Sequence, residues 1–152
     1  MIVVSACLAG IKCRYNGQSY PVSAVTGLLA TGHSIPLCPE VLGGLPIPRM
    51  CVEQVNGRLL TAAGEDVTGP YMAGAEAALA IARLAGCTAA VLKSKSPTCG
   101  CGQIYDGTFT GRLRSGDGIF CTMLKNEGIR VYTESDLIAV SALAKERTGW
   151  GE

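Results

Sequence analysis

Cys7, Cys38 and Cys99 each stand just beyond a short apolar run, in the contexts SACL, LCPE and SPTCG. Thiolates are soft donors, so three of them brought together would hold zinc or an iron–sulfur cluster. Glu40 follows Cys38 by two residues and Ser96 precedes Cys99 by three, which puts a proton-transferring carboxylate and a hydroxyl beside two of the thiols. A zinc ribbon would need two close CxxC pairs, and an all-thiolate set of three is unusual for hydrolytic zinc. His33, the only histidine, precedes a strand at the end away from the thiols and reads as a surface or helix-end residue. The donor set therefore favours a cluster over zinc.

Residues so far apart in sequence meet only if the fold delivers them to one place. IVVS (2–5), SIPL (34–37) and CTAAVLK (87–93) are short apolar runs that read as buried strands, and a fourth is expected at 129–132. Helical spacing is expected over 21–30, with Val22, Val25, Leu28 and Leu29 on one face and Gly32 closing it. The Ala-rich segment after Thr68 reads as the clearest helix, with Thr68 as N-cap, Pro70 in the first turn and Gly86 at its end. Further helices are expected over 119–126 and 135–147, GGLPIPRM (43–50) reads as an ordered but irregular loop, and 105–118 is a glycine-punctuated segment. Strands alternating with helices predict an α/β fold, a Rossmann-like three-layer sandwich with a mostly parallel sheet. Cys7, Cys38 and Cys99 then all lie at carboxyl ends of strands, the edge where open parallel sheets bind ligands.

The whole chain limits what such a site serves. With 152 residues, 48% of them hydrophobic, the expectation is one domain over 1–152 with a single sizeable core. Thirteen basic against twelve acidic side chains give a net charge of +1, so no global field marks a nucleic-acid or anionic-membrane binder. No run approaches the roughly 20 apolar residues of a membrane span, and Met1 leads into IVVSACLAG without a basic start, so a cytoplasmic protein is expected. Eight cysteines in a chain rich in Ala, Val, Leu and Ile argue for reduced thiols rather than a disulfide framework.

Five segments carry a resemblance. VSACLAG with RYNG behind it, LCPEVLGGLPIPR, GEDVT, LKSKSPTCG and IYDGTF, in this order over most of the chain, resemble the bacterial thiouracil desulfidase family. The resemblance implies an α/β domain holding a [4Fe-4S] cluster by three cysteines, with one iron free of protein ligands. Its implied activity replaces the sulfur of thiouracil-type pyrimidines by oxygen; the near-neutral charge favours a small molecule over nucleic acid as partner, with thiolated RNA left open. Matched motif by motif, the ligands correspond to Cys7, Cys38 and Cys99, the catalytic acid to Glu40 and the catalytic serine to Ser96. A soft thiocarbonyl sulfur suits an open iron, and the protein then has to deliver water.

Other residues admit two readings each. Lys93 offsets cluster charge or contacts an anionic intermediate, against a solvent-facing role; Arg49 binds a substrate carbonyl or pairs with a nearby carboxylate; Tyr15 lines a pocket for a flat ring or is simply loop polarity. Cys13, Cys87 and Cys121 read as small buried apolar groups, and Cys51 as incidental. Cys101 departs from the family pattern, and as a fourth ligand it would close the open iron. Two alternatives therefore stand beside the desulfidase: a metal-free thiol redox or sulfur-carrier protein using Cys99 and Cys101, and a non-catalytic metal-binding module in which Cys101 completes the site.

Overall fold

β-branched and small apolar residues pack well between two helical layers, and four short runs of them build the central sheet. The structure, a computed structural model, describes residues 1–148; the last four residues of the expected domain lie outside the described ones. In chain order the elements are β1 (Ile2–Ser5), a 3-10 turn (Ala6–Ala9), α1 (Ser23–Ala30), β2 (Ser34–Leu37), the single helical turn α2 (Pro39–Leu42), β3 (Val52–Val55), β4 (Arg58–Thr61), α3 (Thr68–Leu84), β5 (Ala89–Leu92), β6 (Gln103–Tyr105), β7 (Leu113–Ser115), α4 (Ile119–Asn126), β8 (Arg130–Thr133) and α5 (Leu137–Thr148).

The central sheet runs β2-β1-β5-β8, all parallel. Pro36 pairs with Val4 on the edge strand β2, the place where a strand tolerates a missing N–H. Alternation along the strands feeds two cores. Ile2, Val4, Ala89 and Val91 pack with Val25 and Leu28 of α1 and Val140 of α5, while Val3, Ala90 and Leu92 pack with Ala75, Ala78 and Ala82 of α3 and Phe120 and Leu124 of α4. This is the α/β sandwich expected from the alternation of elements. The chain steps from β1 to β2 on one side and then crosses to β5 on the other, so the order reverses at β1 and opens a crevice at the carboxyl ends.

Two hairpins were not anticipated. β3 and β4 pair antiparallel through Asn56 and Gly57, both at positive φ, the Asn-Gly two-residue turn that matches strand twist. β6 and β7 pair antiparallel, the second of them inside the glycine-punctuated segment. Thr68 is not the N-cap: its Oγ1 accepts the Leu59 N–H at 2.9 Å, tying the helix start to β4, while its own N–H goes to Asp66 Oδ1 at 2.9 Å. Val67 precedes the helix instead.

Two local contacts fix the carboxyl edge. α2 crosses α3 backbone to backbone, and a Cβ at Gly74 would fall inside the Pro39 carbonyl oxygen and lie 2.8 Å from the Gly43 nitrogen. Past β5, Glu134 accepts bonds from the Ser94 N–H at 2.8 Å, the Ser94 hydroxyl at 2.5 Å and the Lys93 ammonium at 3.0 Å, joining the ends of β5 and β8. Burial pushes the Glu134 carboxyl up, but these donors outweigh it and hold it below the ordinary carboxylate range.

Gly74→Ala is expected to destabilise by about 1–3 kcal/mol through overpacking and to displace α2, read as a lower denaturant midpoint. Because its folded pKa is depressed, Glu134 contributes stability that is fully present above its unfolded value of about 4.3 and is lost as pH falls through the folded pKa. Glu134→Gln is therefore expected to be less stable near neutrality and to lose less stability on acidification, seen in unfolding curves between pH 7 and pH 3.

Candidate functional site

The crevice at the carboxyl ends of β1, β2 and β5 is a cavity of about 650 Å³, within the range that takes a small molecule. Cys7 reaches its wall from the 3-10 turn after β1, Cys38 from the junction of β2 and α2, and Cys99 from the turn beyond β5. The sheet thus brings together the three thiols that strand position singled out. All eight cysteines are free thiols. Among the described residues, Cys7, Cys38 and Cys99 do not form a set whose donor atoms all lie within 4.8 Å of one another. A single tetrahedral zinc with bonds of about 2.3 Å would draw its sulfurs to about 3.8 Å. A cavity walled by reduced thiols at wider spacing fits a multi-iron cluster, whose usual ligands are thiolates.

Cys13 adds to the sequence reading. It is buried, as expected, yet it sits in the same wall and shares side-chain hydrogen bonds with both Cys38 and Cys7. The bond with Cys38 pulls its pKa down, but the bond with Cys7 and burial carry it up to about 11. The Cys38 thiol is pushed up by the bond with Cys13 and by burial, and Cys99 is pushed up by burial against a lowering hydrogen bond from Ser5. Cys101, the residue on which an open iron depends, is not in this wall. Its Sγ lies 4.0 Å from the Val131 carbonyl and packs against the α3–α4 side of the sheet.

Glu40 projects from the first turn of α2 into the cavity and pairs with Arg49, Nε to Oε1 at 3.1 Å, with side chains only 15% and 5% exposed. Arg49 donates further to the Cys13 carbonyl at 2.8 Å and the Pro46 carbonyl at 3.3 Å, so its guanidinium is spent on protein acceptors. Tyr71 of α3 adds a hydrogen bond to Glu40. Ser96 Oγ accepts the N–H groups of Thr98 at 3.1 Å and Cys99 at 3.0 Å, which leaves the hydroxyl proton to donate elsewhere. Lys93 is held by Glu134 and lies 4.7 Å from the centre of the Tyr20 ring. Tyr15 is at the mouth, half exposed, and its carbonyl accepts the Arg49 N–H at 2.8 Å. Glu40, Arg49, Ser96, Lys93 and Tyr15 all line the cavity, as does Tyr71.

Sequence reasoning missed other parts of the wall. Ser5 accepts the Lys93 N–H at 2.9 Å and touches Cys99, linking the ends of β1 and β5. Glu53, buried on β3, accepts the N–H groups of Gly107 at 3.0 Å and Phe109 at 3.2 Å. Phe109 is thereby held at a φ of 58°, unusual for a bulky residue, with its ring lining the cavity. Gln54 ties the hairpin to the Cys99 turn through the carbonyls of Pro97 at 2.9 Å and Asp117 at 3.1 Å. Ser5 lies inside the SACL motif, and the Asn-Gly turn announces the hairpin that carries Glu53 and Gln54; nothing local announces the Phe109 contact.

Known proteins carry the same pattern. The sequence profile of the family described as 2-thiouracil desulfurase matches residues 2–136. An uncharacterized protein, YbbK of Bacillus subtilis (strain 168), is 42% identical over 147 residues, covering 90% of this chain and 97% of its own. The solved structure of the [4Fe-4S]-dependent thiouracil desulfidase TudS (DUF523Vcz) superposes with a TM-score of 0.89 at 41% identity, covering 95% of this chain and 97% of that one. With its motifs in order, its thiols on one sheet edge and this match over nearly its full length, the chain belongs to the 2-thiouracil desulfurase family.

Proposed function

We propose that this protein is a [4Fe-4S]-dependent desulfidase that converts thiouracil-type pyrimidines to uracil, water replacing sulfur and sulfide leaving. The observation that carries the reading is a cavity that combines reduced thiols from three strand ends with a buried carboxylate. The likeness to a [4Fe-4S]-dependent thiouracil desulfidase supports it. Cys7, Cys38 and Cys99 hold the cluster, and Cys13 hydrogen-bonds to ligand sulfur from the wall. When bound, the cluster supplies a Lewis-acidic iron without a protein ligand, suited to a soft thiocarbonyl sulfur.

The chain's own residues do the rest. Glu40 takes a proton from the incoming water and returns it to the departing sulfide, with Arg49 and Tyr71 fixing its carboxylate. Ser96 donates a hydrogen bond from its hydroxyl to the ring, and Lys93 places positive charge at the cavity wall. Tyr15 and Phe109 give the flat pyrimidine aromatic surfaces. The C=S bond is replaced by a C=O bond with no net change in oxidation state, so no external reductant is needed. The cavity volume and the near-zero net charge support a small-molecule pyrimidine over RNA. No helix among the described residues is long and apolar enough to cross a membrane, and eight free thiols suit a reducing cytoplasm.

Protein purified without oxygen is expected to be brown, to contain about four irons and four sulfides per chain, and to release sulfide from 2-thiouracil or 4-thiouracil. No iron, or iron without sulfide release from either, would falsify the reading. Serine at Cys7, Cys38 or Cys99 is expected to lose iron, while Cys13→Ser and Cys101→Ser keep it. Glu40→Gln is expected to keep iron and lower kcat by about 10²–10⁴-fold. Arg49→Met strands a buried carboxylate and is expected to cost about 3–5 kcal/mol, much of it recovered in the Glu40→Gln, Arg49→Met double variant, by denaturant unfolding of all four proteins.

A further inference from the structure

We propose that Cys101, Asp117 and Cys121 form a second metal site, separate from the cavity, that takes one thiophilic divalent cation of the zinc class. Their donor atoms, two sulfurs and a carboxylate oxygen, all lie within 4.8 Å of one another, and no other such group of three occurs among the described residues. Tetrahedral zinc with Zn–S bonds of about 2.3 Å and Zn–O of about 2.1 Å needs donors roughly 3.5–3.8 Å apart. Donors within 4.8 Å of one another stand little more than about 1 Å outside that spacing. Cys7, Cys38 and Cys99 are not such a group, so the two sets differ in the size of the group they suit.

Three parts of the fold meet here. Cys101 leaves the turn that carries Cys99, Asp117 precedes α4, and Cys121 lies in the first turn of α4, fully buried against the sheet. The two thiols share a hydrogen bond with each other, and Cys121 shares one with Asp117. The carboxylate is already oriented from outside, as metal-ligating carboxylates are: the Gly102 N–H donates to Oδ1 at 2.7 Å and the Lys125 ammonium to Oδ2 at 2.9 Å. A carboxylate offers about four lone-pair directions, so these bonds leave room for a metal bond. Cys101 is half-buried and lines a second cavity of about 530 Å³, so one of the three donors borders space open to solvent. Binding releases the two thiol protons to solvent and involves no electron transfer.

The test uses the anaerobically purified, iron-loaded protein. One equivalent of Zn²⁺ is added, excess is removed, and zinc and iron per chain are measured together. About one zinc per chain is expected, with iron unchanged and, at the zinc X-ray absorption edge, two sulfur neighbours near 2.3 Å. Cys101→Ser and Asp117→Asn are expected to lower zinc occupancy at least tenfold while iron content and sulfide release stay at wild-type levels. Cys121→Ser should behave alike, and the half-buried Cys101 keeps the test usable if the buried variant unfolds. The proposal is overturned by iron-loaded protein that takes no zinc, by equal zinc in wild type and variants, or by zinc that is lost only together with iron in Cys7→Ser. A Cys101–Cys121 disulfide in protein kept free of oxygen also overturns it.

Discussion

Four parallel strands that end at one edge impose the geometry on which everything else in this molecule rests. A parallel sheet leaves its carboxyl ends open because each crossover must return the chain to the other edge before the next strand begins. With the order β2-β1-β5-β8, the reversal falls at β1, and the segments leaving β1, β2 and β5 face one another. Thiols 31 and 61 residues apart in sequence, counting from Cys7 to Cys38 and from Cys38 to Cys99, meet because strand neighbours are about 4.8 Å apart. No local motif would achieve this.

Around that edge, small residues and buried carboxylates do different work. Gly74 lets α2 lie against α3, which sets the depth of Glu40. Glu53 is buried and Glu134 nearly so, and their oxygens are taken up by neighbouring N–H, hydroxyl and ammonium donors. A charge so placed would be costly if left unpaired, so each also fixes the segment that satisfies it. The Glu53 bonds pin the Phe109 loop and the Glu134 bonds pin the segment after β5. Rigidity at the cavity comes from polar satisfaction as much as from the two apolar cores.

Much of this was legible because the signals were strong and local. The strands at 34–37 and near 89–92, the helix at 119–126 and the alternation of elements follow from apolar runs and glycine stops, and Cys7, Cys38 and Cys99 follow from strand ends. The β3–β4 hairpin was also legible, since VNGR is a two-residue turn between β-prone runs, but no element was assigned to it from the sequence. Cys13 was not, because its position depends on how the loop after the 3-10 turn folds back over Cys7 and Cys38, a contact that no periodicity encodes. Thr68 shows tertiary structure overriding a local preference: its hydroxyl serves Leu59 rather than its own helix. Cys101, placed by sequence two residues from Cys99, is turned to the opposite side of its loop and belongs to another group of side chains.

The turn that carries Ser96 and Cys99 has a consequence for how faults spread. Ser96 Oγ accepts the Cys99 N–H, and the Ser96 carbonyl accepts the Gly100 N–H at 2.8 Å, so hydroxyl and sulfur are spaced by one short ring of covalent and hydrogen bonds. Their separation is inherited from local chain geometry and survives small slips of the sheet. Glu40 reaches the same cavity from the far side of β1, so its distance to Cys99 accumulates the errors of two strand pairings and of the α2–α3 contact. The two halves of the site thus have unequal mechanical tolerance: one travels as a unit, and the other is only as well placed as the whole sheet.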